Sequence, residues 1–171
     1  MGNVMINSER LCLRPLSLLE LESVSNDSAI SKNYFIESDV LTTDIKSAIS
    51  KKIKKMKYID SSLHIVYTYW LICDKSTQKG IGVIGFKGAL NQNGYIEIGY
   101  SISSNYRRKG LMTEALNNII IWIQSFDELP NLNGVIANVL NSNIGSMRVL
   151  NNCQFEKIES NEKETLFLFK L

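Results

Sequence analysis

The sequence has almost no histidine. His64 is the only one in 171 residues, so a Ser-His-Asp or Cys-His hydrolase would have to rest its base on that single side chain. A surface position at the end of a strand is the plainer reading of His64. Cysteine is scarce as well. Cys12, Cys73 and Cys153 are odd in number and far apart, which points to buried thiols in a reducing, cytoplasmic setting and not to a disulfide framework. With one histidine and no closely spaced cysteines, no metal centre is expected. No apolar run is longer than a few residues, so no membrane span is expected, and no segment resembles a secretory signal. The net charge of +2 lacks the broad positive field that non-specific nucleic-acid binding needs. Repeats, low-complexity stretches and linkers are all missing, so residues 1–171 read as one domain, large enough to bury roughly 70% of the unfolded chain's surface.

What is present is a change of pattern along the chain. Arg10 to Pro15 reads as a short strand, and Ser17 caps a helix carrying Leu18, Leu21 and Val24. Residues 27–41 follow no clear pattern. From Thr43 or Asp44, Ile45, Ala48, Ile49, Ile53 and Met56 recur at helical spacing. Lysines between Lys51 and Lys57 take the other face, which is either a docking surface for an acidic partner or, more simply, a solvated helix face. Three strands follow, over His64–Cys73, Ile81–Leu90 and Tyr95–Ile102, with Asn93-Gly94 as a hairpin signal. Gly110 opens an apolar helix that ends near Asp127 and Pro130. Gly134–Leu140 is a strand, a helix begins at Asn141–Asn143 and runs to Asn152, and Phe155–Glu159 with Glu164–Leu171 form a closing hairpin. The order β-α-α-β-β-β-α-β-α-β-β predicts an α/β (α+β) fold, a mixed sheet with helices on its faces.

The chemistry concentrates where the third strand of that meander meets the Gly110 helix. Glu97 to Ile102 leads into Arg107-Arg108-Lys109-Gly110-Leu111-Met112. A helix N-terminus offers unpaired N–H groups and partial positive charge, and glycine lets that backbone approach a phosphate. Three adjacent cations add neutralisation. Taken alone, the stretch suits either a pyrophosphate cradle or a plain cationic loop. A Walker P-loop and a Rossmann fingerprint are both missing.

Three segments in consistent order carry a resemblance. Arg107-x-x-Gly110-x-Met112 resembles the acyl-CoA motif of the GNAT N-acetyltransferase superfamily, with Met112 in place of the usual small residue. Ser8 to Pro15 is similar to the opening strand of its ribosomal-protein alanine/serine N-acetyltransferase branch. Asn143-x-x-Ser146-x-Arg148-Val149-Leu150 with Gln154-Phe155 is similar to a later segment of that branch, with Gln154 where glycine is usual. The resemblance implies a mostly antiparallel sheet of about seven strands flanked by about four helices. It also implies acetyl-CoA as cosubstrate and an amine acceptor, either a protein N-terminus or a small molecule. Tyr100, Ser101 and Ile102 would pair with the pantetheine arm, Arg107 to Met112 (through Arg108, Lys109, Gly110 and Leu111) would hold the pyrophosphate, and Asn143 would bond the pantetheine.

Attack on a thioester needs a neutral amine, and α-amines titrate near about 8 and lysine near about 10.4, so a base helps. Glu97 is the candidate base, with an exposed strand glutamate paired to lysine as the alternative. The acyl oxygen would meet a strand N–H near Ile102. Many members of the superfamily place a proton-donating tyrosine where Leu150 stands here, which leaves Ser146 as the hydroxyl candidate. A non-catalytic acyl-CoA sensor and a plain interaction domain are the competing readings. A monomer or homodimer is expected, without nucleic-acid or membrane partners.

Overall fold

A computed structural model describes residues 4–25 and 35–171. In chain order its strands are β1 (Ile6–Asn7), β2 (Leu11–Pro15), β3 (Trp70–Asp74), β4 (Lys79–Lys87), β5 (Tyr95–Ile102), β6 (Gly134–Leu140), β7 (Glu156–Ser160) and β8 (Glu164–Lys170). The helices are α1 (Leu18–Ser25), α2 (Thr43–Met56), α3 (His64–Tyr67), α4 (Leu111–Gln124) and α5 (Ile144–Asn152). One sheet takes all the strands in the order β1-β2-β3-β4-β5-β6-β8-β7. β5 and β6 are its parallel neighbours, and the other neighbouring strands are antiparallel.

Local chemistry explains where the helices begin. Ser17 and Glu20 form a reciprocal cap, with Ser17 N–H bonded to Glu20 Oε2 at 2.8 Å and Glu20 N–H to Ser17 Oγ at 3.3 Å. The Thr42 hydroxyl accepts from the Ile45 N–H at the start of α2. α4 is apolar on most of its circumference and buries Leu111, Met112, Ala115, Leu116, Ile119, Ile120 and Ile123. Trp70 of β3 is fully buried and meets Trp122 of α4 with ring centres 4.8 Å apart. Trp70, Ile84 and Tyr100 are cross-strand partners, so that side of the sheet faces α4. Successive strand residues alternate faces, so Val83, Lys87, Glu97, Gly99 and Ser101 look the other way, toward α2.

The sheet has eight strands and the described residues carry five helices, against about seven and about four expected. β1 is two residues long, too short for a period to show. The stretch from His64 to Cys73 is not one strand. Asp60 accepts from the Ser62 N–H, His64 Nε2–H donates to the Met56 carbonyl at 2.7 Å, and the Trp70 indole donates to the Ile65 carbonyl at 3.0 Å. These bonds fold Ser61–Tyr67 into helical turns, and the branched residues that suggested a strand serve as core. His64 is accordingly half-buried and structural. β4 stops at Lys87, short of Leu90, because Gly88 turns the chain with φ 80°. Part of the patternless stretch, residues 27–34, lies outside the described residues. Among the described residues no helix is long and apolar enough to cross a membrane, and no group of three or more His, Cys, Asp or Glu is placed to hold a metal ion.

Candidate active site

β5 parts from β6 halfway along. The two strands pair only over Tyr95–Glu97 and Gly134–Ile136. Beyond that point β5 stays on β4 as far as Ile102, and β6 stays on β8 as far as Leu140. The result is a wedge whose apex lies at Glu97 and Ile136. The Tyr95 carbonyl and the Ser103 N–H both bond on the β4 side. By alternation, the main-chain groups of Ile98, Tyr100 and Ile102 face the wedge, and those of Ser101 face β4. Of the three residues expected to pair with an extended arm, Tyr100 thus offers its backbone and Ile102 its N–H, the Ile102 carbonyl accepting from Arg107 Nε at 3.3 Å, and the Ile98 carbonyl joins them.

The wedge opens onto the basic loop. Arg107, Arg108, Lys109 and Gly110 are all exposed. Arg108 has φ 59° and Gly110 has φ 74°, a left-handed backbone that turns the chain sharply into α4. Gly110 caps α4 without a side-chain hydrogen bond. The first α4 bond is Glu114 N–H to the Gly110 carbonyl. Six consecutive N–H groups, Arg108 to Thr113, therefore have no acceptor among the described residues. Leu111 and Met112 contribute their backbones to this set while their side chains are buried in the core. Six free donors beside three cations make a cradle that can hold an anion such as a diphosphate.

Two braces hold this loop, and neither was evident in the sequence. The Glu114 carboxylate accepts from Ser8 Oγ at 2.7 Å, Arg10 N–H at 2.8 Å and Arg10 Nε at 2.7 Å. Arg10 in turn donates from Nη1 to the Lys109 carbonyl at 2.9 Å. Burial would raise the Glu114 carboxyl, but the Ser8 and Arg10 hydrogen bonds and the Arg10 charge outweigh it and hold it below the ordinary value. On the other side, Asp39 accepts from both the N–H and the hydroxyl of Ser104 at 2.8 Å. Those bonds, the backbone one foremost, bring its carboxyl down to about 2. A hollow of about 500 Å³ borders the cradle, lined by Ser8, Arg10, Gly110, Thr113, Glu114 and Asn117. Another, of about 560 Å³, lies among the loops at the amino end of β5, away from the wedge.

α5 closes the wedge from the β6 side. Asn143 is its exposed N-cap, with Oδ1 accepting from the Ser146 N–H at 3.1 Å, and its amide NH₂ remains free among the described residues. The Tyr100 hydroxyl spans the wedge and donates to the Ser146 carbonyl at 3.3 Å. Burial raises the Tyr100 phenol. The Ser146 hydroxyl is half-buried and has no partner among the described residues. Leu150 is fully buried, a core residue. Gln154 takes φ 63° just past α5, the left-handed turn that glycine would make without strain.

Glu97 stands at the apex on the opposite face, with its carboxylate 2.9 Å from Lys87 Nζ. The wedge is thus bordered by α4 and α5 on one face of the sheet and carries a carboxylate on the other.

Comparison with known proteins follows the same lines. The family model described as an acetyltransferase (GNAT) domain matches residues 10–156. The uncharacterized N-acetyltransferase p20 of Bacillus licheniformis is 31% identical over 157 residues, 88% of this chain and 81% of that protein. The uncharacterized N-acetyltransferase YjdG of Bacillus subtilis is 33% identical over 86 residues, 50% of this chain and only 49% of that protein. Among solved structures, the RimL ribosomal L7/L12 alpha-N-protein acetyltransferase in complex with coenzyme A shares the fold with a TM-score of 0.67, at 14% identity and 98% coverage of both chains. Ribosomal-protein alanine and serine acetyltransferases share it as well.

Proposed function

The chain belongs to the GNAT acetyltransferase family, and from that premise we propose that it moves an acetyl group from acetyl-CoA to a primary amine, with a protein N-terminal α-amine as the acceptor class. The observation that carries this reading is the continuity of the wedge with the cradle. Wedge-facing strand backbone at Tyr100, with the Ile98 carbonyl and the Ile102 N–H, leads directly to the free N–H groups of Arg108 to Thr113. Acetyl-CoA supplies the activated acyl group as a thioester.

The roles then divide by position. The cradle amides and the Arg107, Arg108 and Lys109 charges bind the diphosphate. The wedge backbone and the free Asn143 amide align the arm. Just beyond the apex the Tyr100 N–H, which faces the wedge two residues short of the expected position near Ile102, is a donor for the acyl oxygen as it gains charge. Glu97 takes the amine proton once Lys87 releases it. The Ser146 hydroxyl, free and one turn from the Asn143 cap, donates toward the departing sulfur. A leaving thiol with a pKa of about 8.5 needs little help, so Glu97 carries more of the rate than Ser146. The free thiols Cys12, Cys73 and Cys153 suit a reducing cytoplasm. The α-amine acceptor is supported by the fold shared with ribosomal-protein acetyltransferases.

The test is thiol release with acetyl-CoA across a panel of N-terminal peptides and small amines, with the acetylated product identified by mass spectrometry. Glu97→Gln is expected to lower kcat by about 10²-fold or more, and Ser146→Ala by less than about tenfold, in line with the usual worth of general acid–base catalysis. Full kcat in both variants would refute these roles, and no release with any amine would refute the transferase reading.

A further inference from the structure

Two lysines of α2, Lys52 and Lys55, turn inward onto Tyr69, Tyr67 and the end of β4, next to the Lys87 that pairs with Glu97. Lys52 points inward, and its Nζ donates to the Tyr67 carbonyl at 2.9 Å and the Phe86 carbonyl at 2.5 Å. An ammonium has three N–H bonds, so one is left without an acceptor among the described residues. Lys55 follows at i+3 on the same helix face, with Nζ 4.3 Å from the centre of the Tyr67 ring. Lys87, next to Phe86 on β4, lies flat across Gly99. A side chain at Gly99 would come within 2.7 Å of Lys87 Cε, so the glycine is what lets Lys87 reach Glu97. Burial first, and then the charges of Lys55 and Lys87, push the Lys52 ammonium down to about 7, so the three nitrogens share one field. Lys54 and Lys51 point to solvent instead. Three lysine nitrogens thus lie close together, with Lys55 Nζ beside Gly88 and Lys87 next to it in the chain, and Lys87 holds the Glu97 carboxylate at 2.9 Å.

A cationic acceptor is poorly served here, because the Lys87 ammonium already occupies Glu97. An acceptor that brings its own negative charge solves both problems. We propose that the substrate carries an anionic group a few bonds from its amine, bound by Lys55 and Lys87 with Lys52 behind them. This rests on the transferase reading of the same site. Binding of that group draws Lys87 from Glu97 and frees the carboxylate beside the incoming amine. The reaction itself is unchanged: the amine nitrogen bonds to the acyl carbon, the carbon–sulfur bond breaks, and the proton lost by the amine ends on the sulfur.

The experiment measures kcat/KM on the intact protein for acceptor pairs that differ in one charge. One pair is a peptide with a free N-terminus and Asp or Asn at its second position. The other is O-phosphoethanolamine and ethanolamine, which separates a carboxylate-bearing peptide from a phosphate-bearing small amine. In at least one pair the anionic member is expected to be favoured by about tenfold or more, the discrimination one charge-assisted hydrogen bond supplies. That ratio is expected to fall toward one in Lys55→Met and in Lys87→Met and to survive in Lys54→Met. Equal rates within both pairs, or a ratio untouched by both variants, overturns the inference while thiol release still upholds the transferase. Absence of release with every acceptor overturns both.

Discussion

Replacing Glu114 by alanine separates the brace from the cradle it supports. Glu114 accepts three hydrogen bonds, from Ser8 Oγ, Arg10 N–H and Arg10 Nε. Its own side chain is 14% exposed and that of Arg10 is 46% exposed. The ion pair with the half-exposed Arg10 is screened and contributes about 0.5 kcal/mol. The two remaining bonds to a charged acceptor contribute about 1 kcal/mol each at this exposure. A loss of about 2 to 3 kcal/mol follows, which lowers Tm by roughly 5 to 10 °C in a domain of this size. The second consequence is functional. Without Glu114, Arg10 no longer holds the Lys109 carbonyl in place, and the loop must be ordered by the ligand. Affinity for acetyl-CoA is expected to fall about tenfold, equivalent to about 1.4 kcal/mol. Thermal melts and titration calorimetry on the same samples read both effects. A pH series adds a check. Glu114 is held below its ordinary value, so its contribution is complete above that value and is lost as pH falls through the folded one. The gap in Tm between wild type and variant should narrow in acid. A variant that melts lower yet binds acetyl-CoA unchanged would refute the view that Arg10 and Glu114 position the loop.

Two further predictions concern strain and burial. Gln154→Gly removes a side chain from a left-handed position that is solvent-exposed and should stabilise the protein by about 0.5 to 1 kcal/mol, read as a small rise in Tm. Lys52→Met tests the buried ammonium. The folded Lys52 titrates at about 7 against an ordinary 10.5, so the folded state holds fewer protons than the unfolded state between those values. Wild-type stability should therefore gain on the variant as pH rises from 7 toward 10, a trend that Tm measured at several pH values will show.

Much of the fold was legible because the decisive signals are local. Asn93-Gly94 marks a turn by its own conformational preference, and Gly94 takes φ 75° there. The apolar positions of α4 that repeat at helical spacing, Met112, Ala115, Leu116, Ile119, Ile120 and Ile123, face the core, while Ile121 is exposed. The exposed basic-glycine loop between β5 and α4 was legible from residue type and order. The wedge could not, because it depends on β6 keeping register with β8 while leaving β5 after three pairs. The brace was hidden for the same reason: Arg10 and Glu114 are 104 positions apart, and each looks like an ordinary surface charge. Asp39 sits in a stretch without periodicity, and only its contact with Ser104 gives it a role. The lysines of α2 show the opposite failure. A charge run reads as a solvated face, yet Lys52 and Lys55 turn inward onto Tyr69 and Tyr67; Lys52 lies three residues after Ile49 and four before Met56, on the buried stripe of α2, where its residue type hides its position.

We propose that the wedge and the cradle form one acetyl-CoA site. Titration calorimetry of acetyl-CoA into the purified protein tests it most directly, with the affinity measured again at higher salt. Saturable binding at one site per chain is expected, weakened by salt because the Arg107–Lys109 charges contribute. Absence of binding at millimolar acetyl-CoA would contradict it.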